Sequence, residues 1–254
     1  MSIGRVLNTA FGAIFGNLFV MLGIAFLFAG LPQGLISYFQ RSVAPQVAAG
    51  SISLSQYFAV VILGALLNMV FTVLAQGALV RATIASSHGE RATFGECLST
   101  ALGRLLPLLG LGIVSGLAVG FAAILLIVPG IILTVMWYVA APVVIAEREG
   151  VFAALARSAD LTKGERWNVF VVLLILFAFV IGLVILAAIV GGIAGATGAL
   201  NGGGSAMALL AGGAAVVSGT ITATIAGALP TAIYIELRGL KEGPESAGLD
   251  AVFA

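Results

Sequence analysis

Residues able to do chemistry are scarce in this chain, and most of them lie in one stretch. There is one histidine, His88, in a Ser-Ser-His-Gly turn, and one cysteine, Cys97. A Cys–His pair needs a third group to orient it, and no acid is placed to do so. One histidine and one cysteine do not make a zinc site. No Walker A or G-x-S-x-G motif occurs, and Gly202-Gly203-Gly204 lacks the lysine and the strand context of a phosphate loop. These residues point to no catalytic site, no metal and no cofactor. An enzyme would require His88 or Glu147 to share a pocket with other reactive groups.

The remaining candidates are charges: Glu147, Arg148, Glu149, Arg157, Asp160, Lys163 and Arg166, joined by Glu236 and Arg238 near the other end of the chain. Two uses fit that pattern. Glu147 and Glu236 are expected to pair with Arg157 or Arg166 and clamp neighbouring helices together. Alternatively, the cations meet anionic lipid headgroups, at about 1 kcal/mol each.

The elements that position these charges follow from composition. Of 254 residues, 61% are hydrophobic and 8% charged, with a mean hydropathy of +1.21. A soluble domain carries roughly 25% charged residues, so this is a membrane protein. A formal net charge of +1 excludes a generally basic nucleic-acid binder. Charge-free stretches run over 6–40, 42–80, 105–146 and 167–235. A spanning helix needs about 20 apolar residues. The first two stretches hold one span each. The third holds two, divided at Pro129-Gly130, and the fourth two, divided by the Gly-rich run from Gly191 to Gly204. The expected fold is an all-α polytopic bundle of six spans in three hairpins, a single integral domain over 1–242 with a short mobile tail over 243–254.

Arg5, Arg81, Arg91, Arg104, Arg148, Arg157, Lys163, Arg166, Arg238 and Lys241 fall on one side of that topology, and Arg41 alone on the other. The positive-inside rule places the first side, with both termini, in the cytoplasm. The run after Arg5 is too long for a signal-peptide core, and no clear A-x-A site follows Phe28, so span 1 is expected to be retained.

In chain order, Ile3, Val6, Leu7, Ala10, Phe11 and Ile14 share one side of a helix that Ser2 can cap, lying on the interface. Span 1 is expected at about 18–35, a polar outer loop with Pro45 at about 37–56, and span 2 at about 57–84. Thr93 with Glu96 forms a capping box. It opens a second short helix with Phe94, Leu98, Ala101, Leu102 and Leu105 on its apolar face. Span 3 follows to about 128. A third short helix places Phe152, Leu155, Ala156 and Ala159 on one face, with Arg157 and Asp160 turned away. Thr162 and Glu165 offer another T-x-x-E before span 5. The three short segments align without gaps: Ile3–Phe11, Phe94–Leu102 and Phe152–Asp160. Each precedes a hairpin, which suggests three copies of one unit, over about 2–86, 93–148 and 151–238.

Small residues mark the packing faces. Gly112, Gly116 and Gly120 make two overlapping GxxxG motifs in span 3, Gly219, Ala223 and Gly227 a stripe in span 6, and Gly12 and Gly16 a weaker one near span 1. Pro142 and Pro230 lie inside spans 4 and 6, where each removes a helix hydrogen bond and can kink the helix. No ionisable residue lies at a span centre, which argues against ion-coupled transport. Asn68, Gln76, Ser218, Thr220, Thr222 and Thr224 are the notable polar groups within the spans.

Pro129-Gly130-Ile131, Ala141-Pro142 followed by Glu147, and Ala154-Leu155-x-Arg157-Ser158-x-x-Leu161-Thr162-x-Gly164 resemble bacterial six-span membrane proteins. Those proteins are related to the membrane domain fused to some glycerophosphodiester phosphodiesterases, with stand-alone relatives. The ending Tyr234-Ile235-Glu236-Leu237-Arg238 fits as well. The resemblance, strongest over 129–167, implies a six-span fold in the bacterial cytoplasmic (inner) membrane. It brings no catalysis, because the chain leaves no room for the soluble phosphodiesterase domain. Together these features predict a non-enzymatic scaffold or accessory subunit, contacting membrane lipids and a membrane-protein partner or a second copy of itself. A carrier or channel for a neutral or lipidic molecule is the other expectation.

Overall fold

The computed structural model describes residues 1–201 and 204–243, apart from the side chains at 41, 42, 44, 45, 48, 187 and 190–211. The described chain is helical, and six helical segments are long and apolar enough to cross a membrane. The protein is an all-α polytopic bundle. A short helix followed by two spans occurs three times: α1 (Ile3–Gly16), α5 (Phe94–Gly103) and α9 (Val151–Thr162) each introduce a hairpin. At the aligned position Val6, Cys97 and Leu155 are all buried. Cys97 therefore fills a packing position that the other two helices fill with aliphatic side chains.

Span 1 is made of α2 (Leu18–Ala25), a π-helical turn (Phe26–Gly30) and α3 (Leu31–Ala48). Pro32 explains the turn, because it has no N–H for the Phe28 carbonyl and its ring crowds that oxygen. The loop expected at 37–56 is shorter. Helix α3 continues through Pro45 to Ala48, and α4 (Leu54–Ser87) starts after a five-residue turn, 49–53. Polarity there marks where the helix leaves an apolar setting, not where the helix ends. A capping box that the sequence reading passed over starts α4. The Gln56 N–H donates to Ser53 Oγ at 3.3 Å, and the Ser53 N–H donates to Gln56 Oε1 at 3.0 Å.

The capping box expected at Thr93 forms, with Glu96 N–H to Thr93 Oγ1 at 3.3 Å and Thr93 N–H to Glu96 Oε2 at 3.2 Å. Ser2 makes no side-chain cap; its backbone N–H donates to Glu236 Oε1 at 3.3 Å. Thr162 with Glu165 makes none either. Thr162 is the buried last residue of α9, and its hydroxyl donates back to the Ser158 carbonyl at 3.0 Å.

Spans 3 and 4 meet at a one-residue turn. Helix α6 (Leu105–Leu125) ends at Leu126, which is extended with φ −157°, and α7 (Ile127–Trp137) begins. The division lies three residues before Pro129-Gly130. Pro129 is the third residue of α7, where no helical N–H is required. Gly130 lies against Ala123, whose Cβ would be 2.9 Å from a Cβ at position 130. The chain breaks again at Tyr138-Val139 before α8 (Ala140–Ala146). Pro142 sits four residues past Tyr138 and cannot donate to its carbonyl, which accounts for the break.

Helix α10 (Arg166–Asn201) runs through the first half of the Gly-rich stretch and α11 (Gly204–Glu242) starts at its end; the turn expected between spans 5 and 6 lies outside the described residues. Pro230 leaves α11 uninterrupted. Gly243, with φ +77°, ends it, and the tail beyond lies outside the described residues.

Candidate functional site

The charged face of the bundle carries the cluster read from the sequence, in altered membership. Arg157, on α9, is its centre. Its Nε donates to Glu147 Oε2 at 3.0 Å, and its Nη2 donates to Glu242 Oε1. Arg238 Nε donates to Glu242 Oε2 at 2.8 Å, and the Tyr234 hydroxyl donates to Glu147 Oε1 at 2.9 Å. Two guanidiniums and two carboxylates cancel. They join the end of α8, the middle of α9 and the last turns of α11. Burial alone would lower the Arg157 pKa, but the bonds from Glu242 and Glu147 outweigh it and raise it.

Glu236 does not pair with Arg157 or Arg166 as expected. It takes Arg5 Nη2 at 2.9 Å and so ties α1 to α11. Asp160 takes part through its carbonyl, which accepts from Lys241 Nζ. Arg148, at φ +56°, turns the chain between α8 and α9, and its carbonyl accepts from Arg104 Nη1 at 3.1 Å. Glu149, Lys163 and Arg166 are exposed and make no ion pair among the described residues. Glu165 lies in the turn between α9 and α10. It accepts from Asn168 Nδ2 at 2.5 Å and lies 3.0 Å from the Met1 amino group, and these two contacts lower its pKa.

Sequence reasoning missed Glu242 and Tyr234 as members of the clamp. Their spacing held the signal, because Tyr234, Arg238 and Glu242 recur every four residues on one face of a helix. The face of α9 was also rotated in the reading. The buried residues are Ala154, Leu155, Ser158, Leu161 and Thr162, while Phe152 is 75% exposed. The break at Tyr138-Val139 leaves carbonyls at the end of α7 without helical partners. Ser158 Oγ donates to the Met136 carbonyl at 2.7 Å, with Thr162 Oγ1 at 3.4 Å. A hydroxyl that looks solvent-seeking in a hydropathy pattern is here drawn inward by an orphaned acceptor.

His88 is exposed at the end of α4, whereas Cys97 is fully buried, and burial pushes its thiol up to about 11. No group of three His, Cys, Asp or Glu side chains that could hold a metal occurs among the described residues.

The glycine stripes behave differently from one another. A Cβ at Gly227 would lie 2.4 Å from Leu79 Cβ, and one at Gly219 would lie 3.4 Å from Gly30 Cα. Ala223 packs at the edge of the core between them. Span 1 contributes a matching pair that the sequence reading passed over. A Cβ at Gly30 would meet Thr220 Oγ1 at 2.2 Å, and one at Gly34 would meet Val216 Cγ2 at 2.3 Å. In α6, by contrast, a Cβ at Gly112 would come no closer than 3.8 Å to Met69, and one at Gly116 or Gly120 would meet nothing within 4 Å. That stripe makes no close helix contact among the described residues.

It borders a cavity of about 410 Å³ instead. The walls come from α4, α6, α7, α8, α10 and α11, and include Gln76, Gly112, Gly116, Thr134, Tyr138 and Pro230. No charged side chain lines it. Thr220, Thr222 and Thr224 of α11 are not among the residues that line it. Thr220 and Thr224 donate to carbonyls four residues back in their own helix, at 2.7 and 2.8 Å. The cavity is bounded by spans 2 to 6 and is of ligand size, since small-molecule pockets run to about 300–1,000 Å³.

No family model, curated protein or solved structure matches the chain.

Proposed function

We propose that this protein takes a neutral or lipidic small molecule into the cavity between spans 2 and 6. The observation that carries the reading is the glycine edge of α6. Gly112 and Gly116 leave open, uncharged space where a packing stripe would have brought a helix. The charged face supports a non-catalytic role, because its central guanidiniums and carboxylates are spent on one another. Extraction and mass spectrometry of protein purified in mild detergent tests the reading. A neutral lipid should co-purify with the wild type and be lost from Gly116→Phe, which fills the cavity. Equal lipid content in both would overturn it.

A scaffold or accessory role is the second reading, favoured by Gly120, where a Cβ would meet nothing within 4 Å. Another membrane protein or a second copy would pack there. Crosslinking through Gly120→Cys should then trap a stoichiometric complex, and a purely monomeric product would remove this reading. The exposed Arg148, Lys163 and Arg166, with Trp167 at 73% exposure, fit anionic lipid headgroups at the membrane surface.

The distribution of basic residues supports a cytoplasmic charged face, and the family resemblance supports a bacterial inner membrane. Under this topology Arg41→Cys reacts with an impermeant thiol reagent from outside the cell. Protection of that site from outside would reverse the orientation.

A further inference from the structure

We infer that the cavity selects a neutral amphiphile whose head group offers both a hydrogen-bond donor and an acceptor, the chemistry of a mono- or diacylglycerol. The inference rests on the cavity-binding reading and adds the recognition chemistry.

Gln76 is the central observation. It lies on the cavity wall, in the interior of the longest stretch of α4, and makes no hydrogen bond among the described residues. Gln76 is half-buried and lines the cavity, so its carboxamide opens onto the space rather than into packed side chains. An amide without a partner in an apolar setting costs roughly 1–3 kcal/mol. Water or a ligand group must supply both a donor and an acceptor to it.

Two further groups extend the pattern. Pro230 has no N–H, so the Ala226 carbonyl lacks its helical donor, and both residues line the cavity. Tyr138 also lines it, and its hydroxyl is buried with no partner. Ser115 and Thr134 already donate to the Leu111 and Gly130 carbonyls, at 2.6 and 2.8 Å, so each has only acceptor capacity left. The site therefore combines a donor–acceptor carboxamide, a carbonyl in want of a donor, a Tyr138 hydroxyl that can still donate, and Ser115 and Thr134 oxygens that can accept. A hydroxyl next to an ester satisfies that set. A plain hydrocarbon or a fatty ester without hydroxyls does not. No cation is present to hold a phosphate or a carboxylate, so a phospholipid head is disfavoured by the cost of burying its charge. The apolar walls from Val73, Leu108, Leu111 and Leu176 take the start of an acyl chain.

The test is a native mass-spectrometric titration of the full chain in phosphatidylcholine nanodiscs with two probes, 1-monoolein and methyl oleate. They share a chain and an ester, and differ in the two hydroxyls. The wild type should bind monoolein about tenfold more tightly than methyl oleate, the ratio expected for one well-made buried hydrogen bond. Gln76→Leu should erase that ratio without lowering methyl oleate binding, and Tyr138→Phe should reduce it. The thermal midpoints of both variants, read in the same nanodiscs, identify any loss of fold. Equal binding of the two probes by the wild type, or a ratio unchanged in both variants, would overturn the recognition chemistry while leaving a cavity binder. Absence of binding by either probe, or binding undiminished in Gly116→Phe, would overturn the cavity reading itself and this inference with it.

Discussion

The bundle has two halves made from the same kinds of residues and packed in different ways. In one, α3, α4 and α11 approach through glycines that have no room for a side chain. Gly30, Gly34 and Gly227 would each place a Cβ within 2.4 Å of a neighbour. In the other, one edge of α6 borders open space, and a Cβ at Gly116 or Gly120 would meet nothing within 4 Å. Lipid supplies no hydrophobic force between helices, so close packing and hydrogen bonds must hold spans together. The first half uses close packing. The second relies on caps and ion pairs: Ser158 on the Met136 carbonyl and Arg157 between Glu147 and Glu242. A stripe of glycines therefore permits either a contact or a cavity, and only the partner decides which.

The largest effect should come from filling the closed half. Gly30→Val would place a side chain on Thr220 Oγ1 and the Val216 carbonyl. It should cost about 3 kcal/mol and lower the thermal midpoint by roughly 10 °C. The open half breaks next most readily at its clamp. Arg157→Ala leaves Glu147 and Glu242 facing each other's neighbourhood without their shared cation, and should cost about 1–2 kcal/mol, discounted for its 34% exposure. Thermal melts in nanodiscs measure both. Glu147→Gln keeps an acceptor for the Tyr234 hydroxyl, so its loss should be smaller than that of Arg157→Ala.

Ser158→Ala should cost about 1 kcal/mol, because Thr162 remains near the same carbonyl. If the cost is nil, the break at Tyr138-Val139 does not depend on α9. Cys97 sharpens the contrast between repeat positions. Its raised pKa of about 11 leaves little thiolate at neutral pH, so a maleimide should label it only on unfolding, and faster as pH rises. Labelling of the folded protein at neutral pH would show that α5 is not seated as α1 and α9 are.

The smallest effect concerns acid. Asn168, and then the Met1 amino group, lower the Glu165 pKa. A lowered folded pKa contributes stability above the unfolded value of about 4.3 and loses it as pH falls through the folded one. Glu165→Gln should therefore remove a small part of the loss in midpoint between pH 7 and pH 3.

Much of the architecture was legible in the chain. Charge-free length separates the spans, and Thr93 with Glu96 marks the start of α5. What the pattern could not give was orientation about a helix axis. Hydropathy places Phe152 and Ala156 of α9 inward, yet Ser158 and Thr162 face in because a proline nine residues before the helix disrupts the preceding span. That coupling between Pro142 and Ser158 is tertiary and leaves no local period. The clamp was half legible for the same reason. Glu147 and Arg157 are near in sequence, whereas Glu242 reaches them from 85 residues away. The α6 glycines carried the right motif with no indication of what would face them, and the Gln76 carboxamide gave no sign of being left without a partner.

The division into a closed and an open half is tested most directly by one paired measurement. Gly227→Leu and Gly116→Leu make the same substitution in two spans, and their thermal midpoints can be compared in the same nanodiscs. Gly227→Leu should fall by roughly 10 °C, since its new Cβ would lie 2.4 Å from Leu79 Cβ, while Gly116→Leu, with open space at its Cβ, should stay level or rise. Equal losses in the two variants would contradict the account.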